Sequence, residues 1–178
     1  ETEPDARPGW SYDTTAKTIK VVVTDLNDEG AYDGNLYIDE VRGNPAQVTN
    51  TYTSGSVDYD PTGSTEVAVN KVVAGNGTGD QMSPEGYTFE LAVRNTTDGA
   101  EEDAGFALPE PKTATSGSDG AVKFADGITF TAEGTYEISI NEVTPDPAAD
   151  HMTYDTHTFS YTVSVADEDY DGTLEVAV

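Results

Sequence analysis

Short runs in which apolar and polar residues alternate constrain the fold of this chain more than any other feature. Residues two apart in a strand share a face, so such a run predicts a strand with one buried side. Val, Tyr, Thr and Ile dominate the runs, and Gly, Asp and Pro separate them. No segment has the pattern of a capped amphipathic helix. The sequence therefore predicts an all-β sandwich, with strands at 17–24, 66–73, 87–93, 136–143 and 159–165.

The charge of the chain excludes several classes of partner. It carries 34 acidic and 8 basic residues, a formal net charge of -26. Such a chain cannot form a basic footprint, so we predict no nucleic-acid partner and no docking on anionic lipid. No apolar run approaches the roughly 20 residues of a membrane span, which predicts no membrane insertion. The chain has no cysteine, which excludes disulfides and thiolate sites, and no motif indicates a cofactor.

An internal repeat relates the beginning of the chain to its end. Each copy has a Tyr-Asp-Thr motif, a strand containing two valines, an acidic turn and a Tyr-Asp-Gly-x-Leu motif. The first copy consists of 11–14, Val21, Val23 and 32–36, and the second of 153–156, Val163, Val165 and 170–174. The repeat is incomplete at both ends, because each copy lacks segments that the other has.

This repeat predicts the domain organisation. Residues 1–53 are interpreted as the closing strands of one unit, and residues 64–178 as a second unit that lacks its last strand. The Gly-, Ser-, Asp- and Pro-containing stretch 54–63 between them is interpreted as a linker. A second polar stretch, 95–119, is predicted to be a long mobile loop, since its composition offers little to bury.

Three polar residues occupy positions on otherwise apolar strand faces: Lys71, Glu142 and Asn50. Lys71 follows Val69 on one face, and Glu142 follows Ile140. An unpaired buried charge costs several kcal/mol, so such groups are paired or neutral. A simpler alternative is that they lie at strand ends, where a lysine can extend to water along its stem.

Together the three residues suit one reaction, the condensation of a lysine amine with an asparagine carboxamide. The reaction needs a neutral amine and a protonated acid, and burial favours both neutral forms. Paired strands hold the amine close to the carboxamide carbon. The prediction is a cross-link between Lys71 and Asn50, with Glu142 as the catalytic acid that moves protons. Such an amide bond constrains the chain as a disulfide does.

The order and spacing of several motifs resemble a known family. They are Val-Asn-Lys at 69–71, Tyr-Thr-Phe-Glu-Leu at 87–91, Gly-Ala-Val-Lys-Phe at 120–124, Ile-Thr-Phe at 128–130, Gly-Thr-Tyr-Glu-Ile at 134–138, Glu142, Tyr-Asp at 154–155 and Val-Thr-Asn-Thr-Tyr at 48–52. The sequence is similar to the repeated domain of Gram-positive surface pilins and adhesins, the streptococcal T-antigen-type backbone pilin fold. The resemblance implies an immunoglobulin-like β-sandwich of antiparallel sheets with a self-generated isopeptide bond. Lys71 matches the family's first-strand lysine, Glu142 its promoting glutamate and Asn50 its last-strand asparagine.

The chain departs from the family in the order of these residues. Asn50 precedes Lys71, so it belongs to the preceding unit, and the asparagine expected for Lys71 would fall beyond Val178. Three arrangements are open: an excerpt from a tandem array, head-to-tail complementation between molecules, or residues 1–53 folding back within one chain. Head-to-tail complementation is favoured, because a sandwich without its last strand has an open edge.

The resulting hypothesis is a non-enzymatic structural protein, a pilus shaft or adhesin stalk, secreted and attached to the cell wall or cell surface. Its expected partners are copies of itself or adjacent repeats, and also a host-surface ligand. The alternative function is a β-sandwich module that binds a host glycan or matrix protein.

Two other features carry less weight. Asp-Glu-Asp-Tyr-Asp-Gly at 167–172 begins like a calcium loop, but Val178 stands where a bidentate acid is needed, so a hairpin turn is favoured. His151 and His157 are too few to form a metal site, and none is predicted.

Overall fold

The structure is a computed structural model that describes residues 7–27, 29–43, 47–64, 67–75, 82–97 and 104–178. The chain divides into two compact units, Glu1–Tyr52 and Thr53–Val178. The described residues contain twelve strands. They contain no helix that is long and apolar enough to cross a membrane.

Unit 1 is built from two pairs of antiparallel strands. The pairs are β1 (Trp10–Ser11) with β4 (Thr51–Tyr52), and β2 (Lys20–Leu26) with β3 (Tyr32–Arg42). A turn joins β2 to β3. Oδ1 of Asn27 stabilises this turn by accepting hydrogen bonds from the backbone N–H groups of Glu29 and Ala31. In β2 the valines at 21 and 23 share a face with Val41 and Ile38, their partners in β3.

Unit 2 contains two antiparallel sheets. The five-stranded sheet has the order β12-β11-β10-β6-β8, and the three-stranded sheet has the order β5-β9-β7. The strands are β5 (Val57–Tyr59), β6 (Thr88–Asn95), β7 (Phe106–Ala107), β8 (Thr113–Thr115), β9 (Ile128–Phe130), β10 (Gly134–Glu142), β11 (Thr158–Ala166) and β12 (Glu175–Ala177). The prediction of an all-β fold is confirmed, and the sheets are consistent with a β-sandwich.

The core of unit 2 joins side chains from both sheets. Leu91 of β6 and Ile138 of β10 are fully buried, as are Ile128 and Phe130 of β9. Tyr136 is also fully buried, and its hydroxyl donates to the carbonyl oxygen of Ala132 at 2.8 Å. Inward residues alternate with outward ones along β10, as expected for a strand with one buried face.

Several segments differ from the sequence prediction, and the longest of them is β3, where no strand was predicted. The described part of the strand predicted at 66–73 forms a single bridge, from Asn70 to Ala121. The predicted linker 54–63 contains β5, because Val57 and Tyr59 pack against the core. The predicted loop 95–119 contains β7 and β8 in its described part, because Phe106 and Ala114 contribute apolar surface there. Glu66 and residues 98–103 lie outside the described residues.

The internal repeat is visible in the structure, but its two copies differ in burial. Val23 pairs with Ile38 across β2 and β3, as Val165 pairs with Val176 across β11 and β12. The second copy is buried in the core of unit 2: the exposed fractions are 0% for Val163, 2% for Val165 and 1% for Leu174. The equivalent residues of the first copy are exposed: 49% for Val21, 51% for Val23 and 78% for Leu36. Among the described residues, the apolar face of the β2–β3 hairpin is therefore exposed, whereas the equivalent face in unit 2 is buried.

Candidate cross-linking site

Lys71 and Glu142 form an ion pair inside unit 2. Nζ of Lys71 lies 2.6 Å from Oε1 and 2.8 Å from Oε2 of Glu142. Only 10% of the lysine side chain and 3% of the glutamate side chain are exposed. The pair is thus largely removed from water. In such an environment the Coulomb attraction between the two charges is stronger, and either charge alone would be costly.

The backbone explains how the two residues meet. Glu142 is the last residue of β10 and continues the inward face formed by Ile138 and Ile140. Lys71 lies in an extended segment that is tied to 120–122 by two hydrogen bonds. The Lys71 N–H donates to the carbonyl of Gly120 at 2.7 Å, and the Val122 N–H donates to that of Val69 at 3.0 Å. Both side chains therefore start from backbone that is fixed by neighbouring segments.

Two further groups contact the ion pair. Nζ of Lys71 lies 4.3 Å from the centre of the Tyr87 ring, a cation–π contact. The Tyr87 ring in turn packs against that of Tyr154, with centres 6.1 Å apart. The backbone N–H of Asp155 donates to Oε2 of Glu142 at 3.1 Å. Sequence reasoning did not identify these contacts, although Tyr87 and Asp155 belong to the motifs that carry the family resemblance.

An open groove of about 440 Å³ exposes the ion pair on one side. Its apolar lining includes Val72, which is 79% exposed, and Phe159, which is 42% exposed. Its polar lining includes Asp155 and His157. A groove with apolar walls and a polar pair at its base suits an extended segment that alternates apolar and polar side chains.

Asn50 lies in the other unit. Its Oδ1 accepts the backbone N–H of Asp13 at 3.2 Å. The Asp13 carboxylate pairs with Lys17 at 2.9 Å, and the hydrogen bond from Lys17 holds the pKa of Asp13 well below its usual range. The structure thus brings together Lys71 and Glu142, while the roles of all three residues stay predictions.

Asp167, Asp169 and Asp171 are the described residues that could contact a cation, since their carboxylate oxygens lie within 4.8 Å of one another. Asp167 is buried and accepts the backbone N–H groups of Asp171 and Gly172, at 3.1 and 2.9 Å. These bonds shape the turn between β11 and β12, which accounts for the acidic motif without an ion.

The Lys71–Glu142 pair is one proton transfer away from a nucleophile and an acid. Moving a proton from Nζ to a carboxylate oxygen converts the ion pair into a neutral amine beside a protonated carboxyl group. At 2.6 Å the proton crosses a single short hydrogen bond. The arrangement can therefore attack an amide carbonyl that is held in the groove.

Comparison with known proteins agrees with this chemistry. The family model described as FctA, Spy0128-like isopeptide containing domain, matches residues 67–178. This segment contains Lys71, Glu142 and all of the groove, and Asn50 lies outside it. No curated protein and no solved structure gives a significant match.

Proposed function

Since the chain belongs to the family of Spy0128-like isopeptide containing domains, we propose that it is a structural domain of a pilus shaft or adhesin stalk. Membership of this family supports a Gram-positive pilin backbone domain. In this role it is displayed on the cell surface and stabilised by a self-generated bond between a lysine and an asparagine. It makes the bond once and turns over no substrate.

The Lys71–Glu142 pair carries this proposal. Lysine and glutamate side chains are seldom buried this deeply. A buried pair also contributes little net stability compared with apolar residues of similar size. A reactive role explains why an amine and a carboxyl group occupy the apolar end of β10.

The proposed reaction balances within three side chains. Glu142 takes a proton from Nζ of Lys71, and the neutral amine attacks Cγ of an asparagine to form the new C–N bond. The acid returns its proton to Nδ2 of the asparagine, the Cγ–Nδ2 bond breaks, and ammonia leaves. The excess proton of the attacking nitrogen passes through the carboxylate to the released ammonia, which becomes ammonium, so Glu142 promotes both steps without being consumed.

We propose that the asparagine is Asn50 of a second copy, delivered by strand complementation. In the segment Val-Thr-Asn-Thr-Tyr at 48–52, Val48 and Tyr52 flank Asn50 on its own face. This alternation fits a groove that has apolar walls and a reactive pair at its base. The resulting bond joins copies head to tail, which makes copies of this chain its partners.

Intact-mass measurement and denaturing gels of the concentrated chain test this function. We expect a ladder of covalent multimers, in which each bond lowers the mass by one ammonia. The ladder should disappear in each of three variants, Lys71→Arg, Glu142→Ala and Asn50→Ala. The control Lys20→Arg, which changes a lysine of β2, should leave the ladder intact. Monomer that has lost one ammonia would place the bond within one chain and overturn the joining of copies, and unmodified monomer would overturn the cross-link itself.

A further inference from the structure

The Glu142 carboxylate accepts a third hydrogen bond besides the two contacts from Lys71. The donor is the backbone N–H of Asp155, which lies between β10 and β11 and donates to Oε2 at 3.1 Å. The two oxygens of Glu142 are therefore not equivalent. Oε1 has the shorter contact with Nζ of Lys71, whereas Oε2 accepts hydrogen bonds both from Nζ and from the backbone N–H of Asp155.

The side chain of Asp155 stabilises the local turn. Its carboxylate is 64% exposed and accepts the backbone N–H of His157 at 2.9 Å. Nδ1 of His157 lies 2.8 Å from the same oxygen. These bonds from His157 hold the pKa of Asp155 below its usual value. The i to i+2 bond is an Asx turn, which restricts the backbone that carries the Asp155 N–H.

We propose that Asp155 is a positioning residue for the cross-linking reaction: its Asx turn aims its own N–H at Oε2 of Glu142 and so assigns the transferable proton to Oε1. This inference rests on the proposed function.

The chemical argument concerns the protonated state of Glu142. The carbonyl oxygen of a carboxylic acid accepts hydrogen bonds better than its hydroxyl oxygen, so a fixed donor at Oε2 makes Oε2 the carbonyl and Oε1 the hydroxyl. Oε1 is also the oxygen 2.6 Å from the attacking nitrogen. The proton taken from Nζ is then held beside the forming tetrahedral centre, from which it passes to the departing nitrogen of the asparagine. Without the donor, half of the protonated carboxyl groups would present the wrong oxygen.

The turn requires an acceptor at residue 155, and it does not require a charge. Asparagine offers the same Oδ1 to the His157 N–H, serine offers a shorter and weaker acceptor, and alanine offers none. The three substitutions therefore form a graded series at an exposed side chain that also lines the groove, so peptide binding and the chemical step must be measured separately.

The experiment uses the full chain carrying Asn50→Ala, with a synthetic peptide of residues 47–53 as the only source of the carboxamide. The coupled product has the mass of protein plus peptide less one ammonia. We measure its rate of formation over a range of peptide concentrations, so that binding and the chemical step separate. Asp155→Ala is expected to lower the rate at saturating peptide about twofold, and any lost contact with the groove appears in the half-saturating concentration instead. Asp155→Asn keeps the parent rate, and Asp155→Ser lies between them.

The outcomes separate the two proposals. If the parent chain couples and Asp155→Ala couples equally fast, the positioning role is overturned and the function stands. The same holds if Asp155→Asn loses as much rate as Asp155→Ala, because a turn acceptor would not explain that loss. If the parent chain never couples to the peptide, the proposed function fails and this inference fails with it. Should Asp155→Ala not fold, the comparison of Asp155→Ser with Asp155→Asn gives the same decision.

Discussion

The backbone N–H of Lys71 donates to the carbonyl oxygen of Gly120 at 2.7 Å, and the two strands of backbone approach so closely that a side chain at Gly120 would overlap the Lys71 carbonyl. Gly120 has a φ of +82°, in the left-handed region that glycine adopts most readily. The position of Lys71 therefore depends on a residue about 50 positions away that must have no side chain.

Gly120→Ala is expected to destabilise unit 2 by about 3 kcal/mol, because it adds the cost of a left-handed φ to a clash with backbone that cannot move aside. Gly86→Ala is the matched control, since Gly86 has a φ of +87° but no atom near its missing Cβ. It should cost about 1 kcal/mol. Urea denaturation measures both, and an equal loss in the two variants would show that the close approach to Lys71 has no energetic effect.

Removing one partner of the buried pair should cost more than removing both. With Asn50→Ala present to prevent cross-linking, Glu142→Ala leaves the Lys71 ammonium unpaired and is expected to lower the free energy of unfolding by about 3 kcal/mol. The double replacement Lys71→Met with Glu142→Leu removes both charges and should recover most of that loss. Denaturant titration compares the three proteins, and a double variant as unstable as Glu142→Ala would contradict this account of the pair.

The two copies of the internal repeat should respond differently to the same substitution. Val163→Ala creates a cavity in the core and is expected to cost about 2 kcal/mol, whereas Val21→Ala trims a half-exposed side chain and should cost less than about 0.5 kcal/mol. Thermal unfolding at low protein concentration compares them. A cost at Val21 that rises with protein concentration would mean that association covers the β2–β3 hairpin.

Acid should act on unit 1 through Asp13. Its folded-state pKa lies below the ordinary value of 3.8, chiefly because Lys17 donates to it, so the carboxylate stabilises the folded state above that value. This contribution is lost as the pH falls below 3.8 and through the folded-state pKa. Trp10, the single tryptophan, packs against Tyr52 with ring centres 5.2 Å apart and reports on unit 1 by its fluorescence. Asp13→Asn should flatten the acid dependence of this signal, and an unchanged titration would exclude Asp13 as its source.

Sequence pattern predicted four of the five strands that are longer than three residues, but it missed the longest, β3, and the short strands. The runs at 87–93, 136–143 and 159–165 overlap β6, β10 and β11, since each is long enough to show several alternations. β5, β7 and β8 have two or three residues each, too few for a period of two to be recognised. They form because a few apolar residues, such as Phe106, pack against a core that distant segments create.

The site was predictable as residue types but not as contacts. Lys71 and Glu142 stood out because a charge on an apolar face conflicts with burial, a conflict that natural sequences tend to confine to functional or strained positions. Their 2.6 Å approach depends on tertiary pairing of segments far apart in the chain. The donor from Asp155 is a backbone group, which every non-proline residue has, so no sequence signal marks it.

The bare apolar face of the β2–β3 hairpin has a colloidal consequence. A net charge of -26 keeps copies of the chain apart by mutual repulsion, so an uncovered apolar surface remains compatible with solubility at neutral pH. This repulsion disappears near the isoelectric point of about 4.1 and shortens in range as salt is added. The acidity of the chain thus opposes nonspecific association through this apolar face.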